Sequence, residues 1–196
     1  MSPPPLLVLT DRAQCPGGDL RSTVEAAVEA GARAVVLREK DLPPAERGRL
    51  AAELRTLLEP VDGVLLVAGP APPGVATHLA ARDPFPAERP ALVGRSCHDA
   101  AELRAAAAEG CDYVTLSPVF ASASKPGYGP VLGLDGLAVH VASASRTPVY
   151  ALAGVRPDDV PGCLAAGAHG VAIMGAAMRD PGAVTHYLAA LSGATA

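Results

Sequence analysis

The sequence predicts an α/β fold, a small (β/α)8 TIM barrel, and three observations lead to it. Eight short apolar runs recur along the 196 residues, at 6–10, 34–38, 64–68, 77–81, 92–97, 113–117, 149–153 and 170–174. Several are continuously apolar, as strands buried on both faces must be. Alanine-rich, helix-compatible segments at 19–30, 44–58, 99–109, 134–144, 157–166 and 181–191 separate most of them. Strand–helix alternation implies a parallel sheet, and a count of eight favours closure over the alternative, an open doubly wound sheet. No GxGxxG follows the first strand, so a dinucleotide-binding sheet gains no support.

Local chemistry justifies the elements in turn. Asp99-Ala100-Ala101-Glu102 has the capping-box pattern, with an acidic oxygen for early backbone N–H groups and a glutamate to reach back. Pro157 and Pro181 suit first helical turns, and Gly31, Gly110 and Gly167 suit helix ends. The βα unit between strands three and four is degenerate, because Gly69-Pro70-Ala71-Pro72-Pro73-Gly74 cannot hold a crossover helix. The proline-rich 82–90 connection has room for one helical turn at most. One domain, residues 1–196, is expected at this length.

Composition removes several function classes. A net charge of −4 without a Lys/Arg face argues against nucleic-acid binding, and two phenylalanines with four tyrosines give no base-stacking platform. No apolar run reaches membrane-spanning length and no basic-then-apolar leader opens the chain, so no membrane partner and a cytoplasmic location are expected. Cys15, Cys97, Cys111 and Cys163 lack CxxC spacing and read as buried thiols. If the chain self-associates, a two-fold homodimer is the expected form.

In a barrel, chemistry belongs at the C-terminal strand ends. Strand six runs into Ser117-Pro118-Val119-Phe120-Ala121-Ser122-Ala123-Ser124-Lys125-Pro126-Gly127, whose hydroxyls, ammonium and glycine turn suit an anion. Arg38 and Lys40 leave strand two with the same facing, a second cationic site for phosphate, diphosphate or carboxylate, unless Glu39 or Asp41 neutralises them. Gly154 after strand seven and Gly175-Ala176 after strand eight match the backbone phosphate site common in barrels, and would equally serve as tight turns. His98 lies at the functional end of strand five, where an imidazole can move protons near neutral pH; His78 falls inside strand four and reads as core.

Together, Leu7-Val8-Leu9-Thr10-Asp11-Arg12, Leu37-Arg38-Glu39-Lys40-Asp41, Gly94-Arg95-Ser96-Cys97-His98, Asp112-Tyr113 through Lys125, Ala151-Leu152-Ala153-Gly154-Val155 and Gly170-Val171-Ala172-Ile173-Met174-Gly175 resemble the thiamine phosphate synthase/TenI family. The resemblance spans nearly the whole chain in order and implies a (β/α)8 barrel. It also implies one of two activities. Synthases join an aminopyrimidine diphosphate to a thiazole phosphate with magnesium; TenI-type thiazole tautomerases move a proton without a diphosphate site.

Against the synthase pattern, Val36 stands for a glutamine, Ala68-Gly69 for an Asn-Asp pair and Ala80-Ala81 for Gly-Gln. Asp83 retains the second acidic position, and Ser122-Ala123-Ser124-Lys125 keeps both hydroxyls of a Thr-x-Thr-Lys. The resemblance therefore implies a protein that binds a phosphorylated thiazole, with a tautomerase favoured. In that reading His98 and Ser96 are catalytic, Gly154, Gly175 and Ala176 hold phosphate, Lys125 lies near the anionic substrate, and no cofactor is needed. The alternative is a divergent synthase, with Arg38, Lys40, Ser122, Ser124 and Lys125 on diphosphate and magnesium on Asp83. A barrel that binds the ligand without turnover is the third reading.

Overall fold

The computed structural model describes residues 2–69, 74–122 and 129–194. Eight strands close into a parallel barrel in chain order: β1 (Leu6–Leu9), β2 (Ala34–Leu37), β3 (Val64–Ala68), β4 (Thr77–Leu79), β5 (Val93–Cys97), β6 (Tyr113–Leu116), β7 (Val149–Leu152) and β8 (Gly170–Ile173). β1 pairs with both β2 and β8, so the sheet has no edge and the open-sheet alternative is excluded. The helices are α1 (Leu20–Glu29), α2 (Pro44–Leu58), α3 (Ala100–Glu109), α4 (Gly133–Ser143), α5 (Val160–Ala165), α6 (Gly175–Arg179) and α7 (Val184–Gly193). None of the described helices is long and apolar enough to cross a membrane.

Alternation along each strand splits the core into two layers. Leu7, Leu9, Ala34, Val36, Leu66, Ala68, Tyr113, Tyr150 and Ala172 fill the barrel axis. The intervening residues, among them Val8, Val35, Leu37, Leu65, Val114 and Val171, pack outward against Val24, Leu54, Leu103, Leu137 and Val184 of the helices. This parity decides which strand-end residues face the mouth. The axis is closed below by the N-terminal prolines, where the Tyr150 hydroxyl donates to the Pro3 carbonyl at 2.6 Å.

Among the described residues no helix joins β3 to β4 or β4 to β5, as the prolines require. Two segments read as single helices are divided: 3-10 turns at Pro157–Asp159 and Pro181–Ala183 precede α5 and α7. Pro161 fits the first turn of the second piece but could not continue a helix begun at Pro157. The short α6, directly after β8, is too brief to show apolar periodicity in the sequence. Asp99 caps α3 by accepting the Glu102 N–H at 2.8 Å, and Gly110 ends it in the left-handed region. The return bond goes elsewhere: Glu102 accepts the N–H of His98, one residue before the cap.

Candidate active site at the barrel mouth

The ends of β1 and β2 are locked by a buried glutamate. Glu39 is 4% exposed and accepts the Thr10 hydroxyl at 2.8 Å and the Arg12 guanidinium at 3.0 Å. Thr10 in turn accepts the Arg38 N–H at 2.9 Å, fixing the point where β2 ends. The same Arg12 forks onto Asp41. Both carboxylates of the Arg-Glu-Lys-Asp segment are therefore occupied by Arg12, whose own pKa is raised by these hydrogen bonds. Among the described residues Arg38 and Lys40 pair with no carboxylate, which removes the neutralised reading of these cations. Arg38 reaches past the end of β1 to Met174 Sδ at the end of β8, 3.1 Å away.

A second buried ion shapes the β4 side. Arg95, 4% exposed on the outer face of β5, donates to the carbonyls of Ala80, Ala81 and Asp83 at 2.8–3.1 Å and meets Glu109 at 2.8 Å. It thereby folds the 80–83 turn, in which Asp83 accepts the Ala80 N–H at 2.8 Å. Asp83 is the carboxylate this turn brings to the rim. Ala68 and Gly69 at the end of β3 bring none. Among the described residues no three His, Cys, Asp or Glu side chains converge to hold a metal. Asp83 fits magnesium only when substrate phosphates supply the remaining oxygens, not a resident metal in a protein cage.

Beneath the rim, the axis carries a polar chain. His78 is 3% exposed and faces inward from β4; its Nδ1 lies 2.9 Å from the Tyr113 hydroxyl and its Nε2 2.9 Å from Ser96 Oγ. Burial lowers its pKa to about 3, and the charges of Arg38, Lys40 and Arg95 push the same way against the opposing pull of Asp83. Ser96, a sequence candidate, thus sits on the axis. His98 is on the β5 rim, half-buried, with Nδ1 held 2.9 Å from Glu102 of α3. A carboxylate accepts there, so in the neutral ring Nδ1 carries the hydrogen and Nε2 the lone pair.

The β6 loop is pinned at its base on two sides. Val119 and Phe120 donate to the carbonyls of Leu152 and Ala153, while Leu132 and Gly133 donate to those of Pro118 and Val119, all at 2.9–3.1 Å. Ser122 follows this base, and Ser124 and Lys125 lie outside the described residues. Gly154 has φ +65°, and a Cβ there would stand 2.2 Å from the Ala121 carbonyl oxygen. Its bareness lets the chain leaving β7 touch the β6 loop. Gly175 is buried at the start of α6 with Ala176 beside it, and its open side meets Gln14 and Arg179. The four cysteines are buried, and burial raises Cys97 to about 12 and Cys163 to about 11, which makes them bystanders.

Three residues here escaped the sequence reading. Glu39 and Arg95 look like ordinary charges, and His78 looks like a core histidine. No local signal marks the partners of His78, because they follow from register: His78 pairs with Gly94, and Gly94 with Tyr113.

Comparison with known proteins agrees with this arrangement. A profile of the thiamine monophosphate synthase family matches residues 6–177. A putative thiamine-phosphate synthase of Geobacter sulfurreducens is 38% identical over 189 residues, covering 90% of this chain and 87% of that protein. The putative thiamine-phosphate synthase 2 of Aquifex aeolicus is 34% identical over 183 residues, covering 88% and 96%. Among solved structures, thiamine phosphate pyrophosphorylase from Pyrococcus furiosus superposes with a TM-score of 0.82 at 25% identity, covering 97% of this chain and 96% of that one.

Proposed function

The chain belongs to the thiamine monophosphate synthase/TenI family, and within it we propose a divergent thiamine phosphate synthase rather than the tautomerase favoured by sequence. The reaction joins an aminopyrimidine diphosphate to a thiazole phosphate: a bond forms between the two heterocycles as the bond to diphosphate breaks. The observation that carries the reading is the division of labour around Arg12. By holding Glu39 and Asp41, it leaves Arg38 and Lys40 as uncompensated cations on one rim. A departing diphosphate needs such charge, whereas a proton shift within a thiazole does not. The two relatives compared above are named putative thiamine-phosphate synthases and the solved neighbour a thiamine phosphate pyrophosphorylase, names that also favour the transferase.

In this reading Arg38 offers a fork and Lys40 a point charge to the diphosphate, joined by Ser122, Ser124 and Lys125 of the segment after β6. Backbone N–H groups at Gly154, Gly175 and Ala176 receive the thiazole phosphate. Asp83 is the carboxylate for a magnesium ion carried in by the diphosphate, and such an ion would neutralise charge on the leaving group. Ser96 faces the centre, where the two substrates meet.

Incubating both substrates with the protein, with magnesium and with chelator, tests this. Thiamine phosphate forming only with magnesium supports the transferase. Metal-independent isomerisation of the thiazole carboxylate phosphate, lost in His98→Ala and without condensation, would restore the tautomerase. Measurable thiazole phosphate binding with neither product would make the barrel a binder.

A further inference from the structure

We infer that His78 is a positioning residue, fixed by Tyr113 as the Nε2–H tautomer so that Ser96 presents its hydroxyl proton as a hydrogen-bond donor to bound substrate. The Tyr113 side chain is fully buried, and among the described residues its hydroxyl has one partner, His78 Nδ1 at 2.9 Å. A buried phenol that failed to donate would forfeit a hydrogen bond at full desolvation cost, so its proton goes to Nδ1. A neutral imidazole accepting at Nδ1 carries its proton on Nε2. Nε2–H then donates to Ser96 Oγ at 2.9 Å, and the Ser96 proton must leave along another direction.

Neutrality of the ring is supported from every side. Burial, Arg38 and Lys40 from β2 and Arg95 from β5 oppose protonation, and Asp83 alone pulls the other way. A further feature points to a ligand at this level. Thr115, the register partner of Ser96 on β6, is fully buried with its Oγ1 unpartnered among the described residues. Two adjoining hydroxyls on the axis, one with a proton to give and one unsatisfied, are completed by a polar atom of a substrate entering from the mouth. What the donor meets rests on the transferase reading; the tautomer does not.

Histidine-selective 15N NMR of the intact protein tests the tautomer, with the His78 signals assigned by their loss in His78→Gln. The expected result is a bare Nδ1 and a protonated Nε2 from about pH 8 to about pH 5, with the tautomer balance altered in Tyr113→Phe. An Nδ1–H ring, or a doubly protonated one at neutral pH, overturns the inference. A kinetic cycle tests the coupling. Ser96→Ala and His78→Leu should each lower kcat/KM by about tenfold or more, and the double variant should fall at most about twofold below the worse single. His78→Gln, which keeps a donor toward Ser96, should recover most of the loss while His78→Leu does not. Additive losses in folded variants would mean that His78 does not act through Ser96. If no transfer activity exists at all, the NMR result alone decides, so failure of the transferase reading is distinguishable from failure of this one.

Discussion

The Tyr113 ring lies where Gly94 would carry a side chain: a Cβ on Gly94 would come within 2.1 Å of the phenol ring. Glycine inside a strand weakens it, and here Gly94, the second residue of β5, provides the passage by which a β6 tyrosine reaches a β4 histidine. Gly94→Ala is therefore expected to force Tyr113 out of place and to destabilise the barrel by about 1–3 kcal/mol, the usual cost of overpacking. Chemical denaturation measures the loss. Retention of full stability would show that the axis has slack that the close contact does not suggest.

Glu39 and Arg38 are neighbours with opposite duties. Glu39→Ala removes the acceptor for Thr10 and Arg12 and should cost about 1–3 kcal/mol. Arg38→Ala should change stability by less than about 1 kcal/mol, because its side chain pairs with no carboxylate. Thermal or denaturant unfolding of the two variants side by side checks this split.

Gly154 should tolerate no side chain. Its φ of +65° is unfavourable for other residues, and the Ala121 carbonyl blocks the Cβ. Gly154→Ala is expected to cost on the order of 1–3 kcal/mol and to displace the base of the β6 loop. Weaker thiazole phosphate binding in a folded variant, measured by calorimetry, is the expected signature.

His78 makes stability pH-dependent in a definite sense. Its folded pKa of about 3 lies below the reference value of 6.5, so between these two the unfolded chain binds the extra proton. Its contribution is complete above about pH 6.5 and is lost as pH falls toward 3. The slope approaches about 1.4 kcal/mol per pH unit for one proton. Unfolding free energies at pH 7 and pH 5 should therefore differ more for the wild type than for His78→Gln. Equal differences would mean that His78 does not titrate as buried.

Much of this was legible in the chain. Strands buried on both faces must be apolar, which is why eight runs were visible, and prolines announced the two connections without helices. Arg38 and Lys40 stood out because strand-end chemistry follows from side-chain alternation, whereas Ser96 was implied by the family resemblance alone. What stayed hidden depended on partners from distant positions. Nothing local says that Glu39 serves Arg12, 27 residues earlier, or that Arg95 folds a turn 12 to 15 residues before it. The lean toward a tautomerase came from reading Val36, Ala68-Gly69 and Ala80-Ala81 as missing synthase positions and Gly154, Gly175, Ser96 and His98 as a preserved thiazole site, without seeing that Arg12 holds both carboxylates next to Arg38 and Lys40.

Diphosphate binding at this mouth through Arg38 and Lys40 is what the transferase reading requires. Calorimetric titration of inorganic diphosphate with magnesium, into the wild type and Arg38→Ala, tests it most directly. The expected result is saturable binding that weakens at least about tenfold, roughly 1.4 kcal/mol, in the variant. No binding to the wild type, or equal affinity in both proteins, would contradict it.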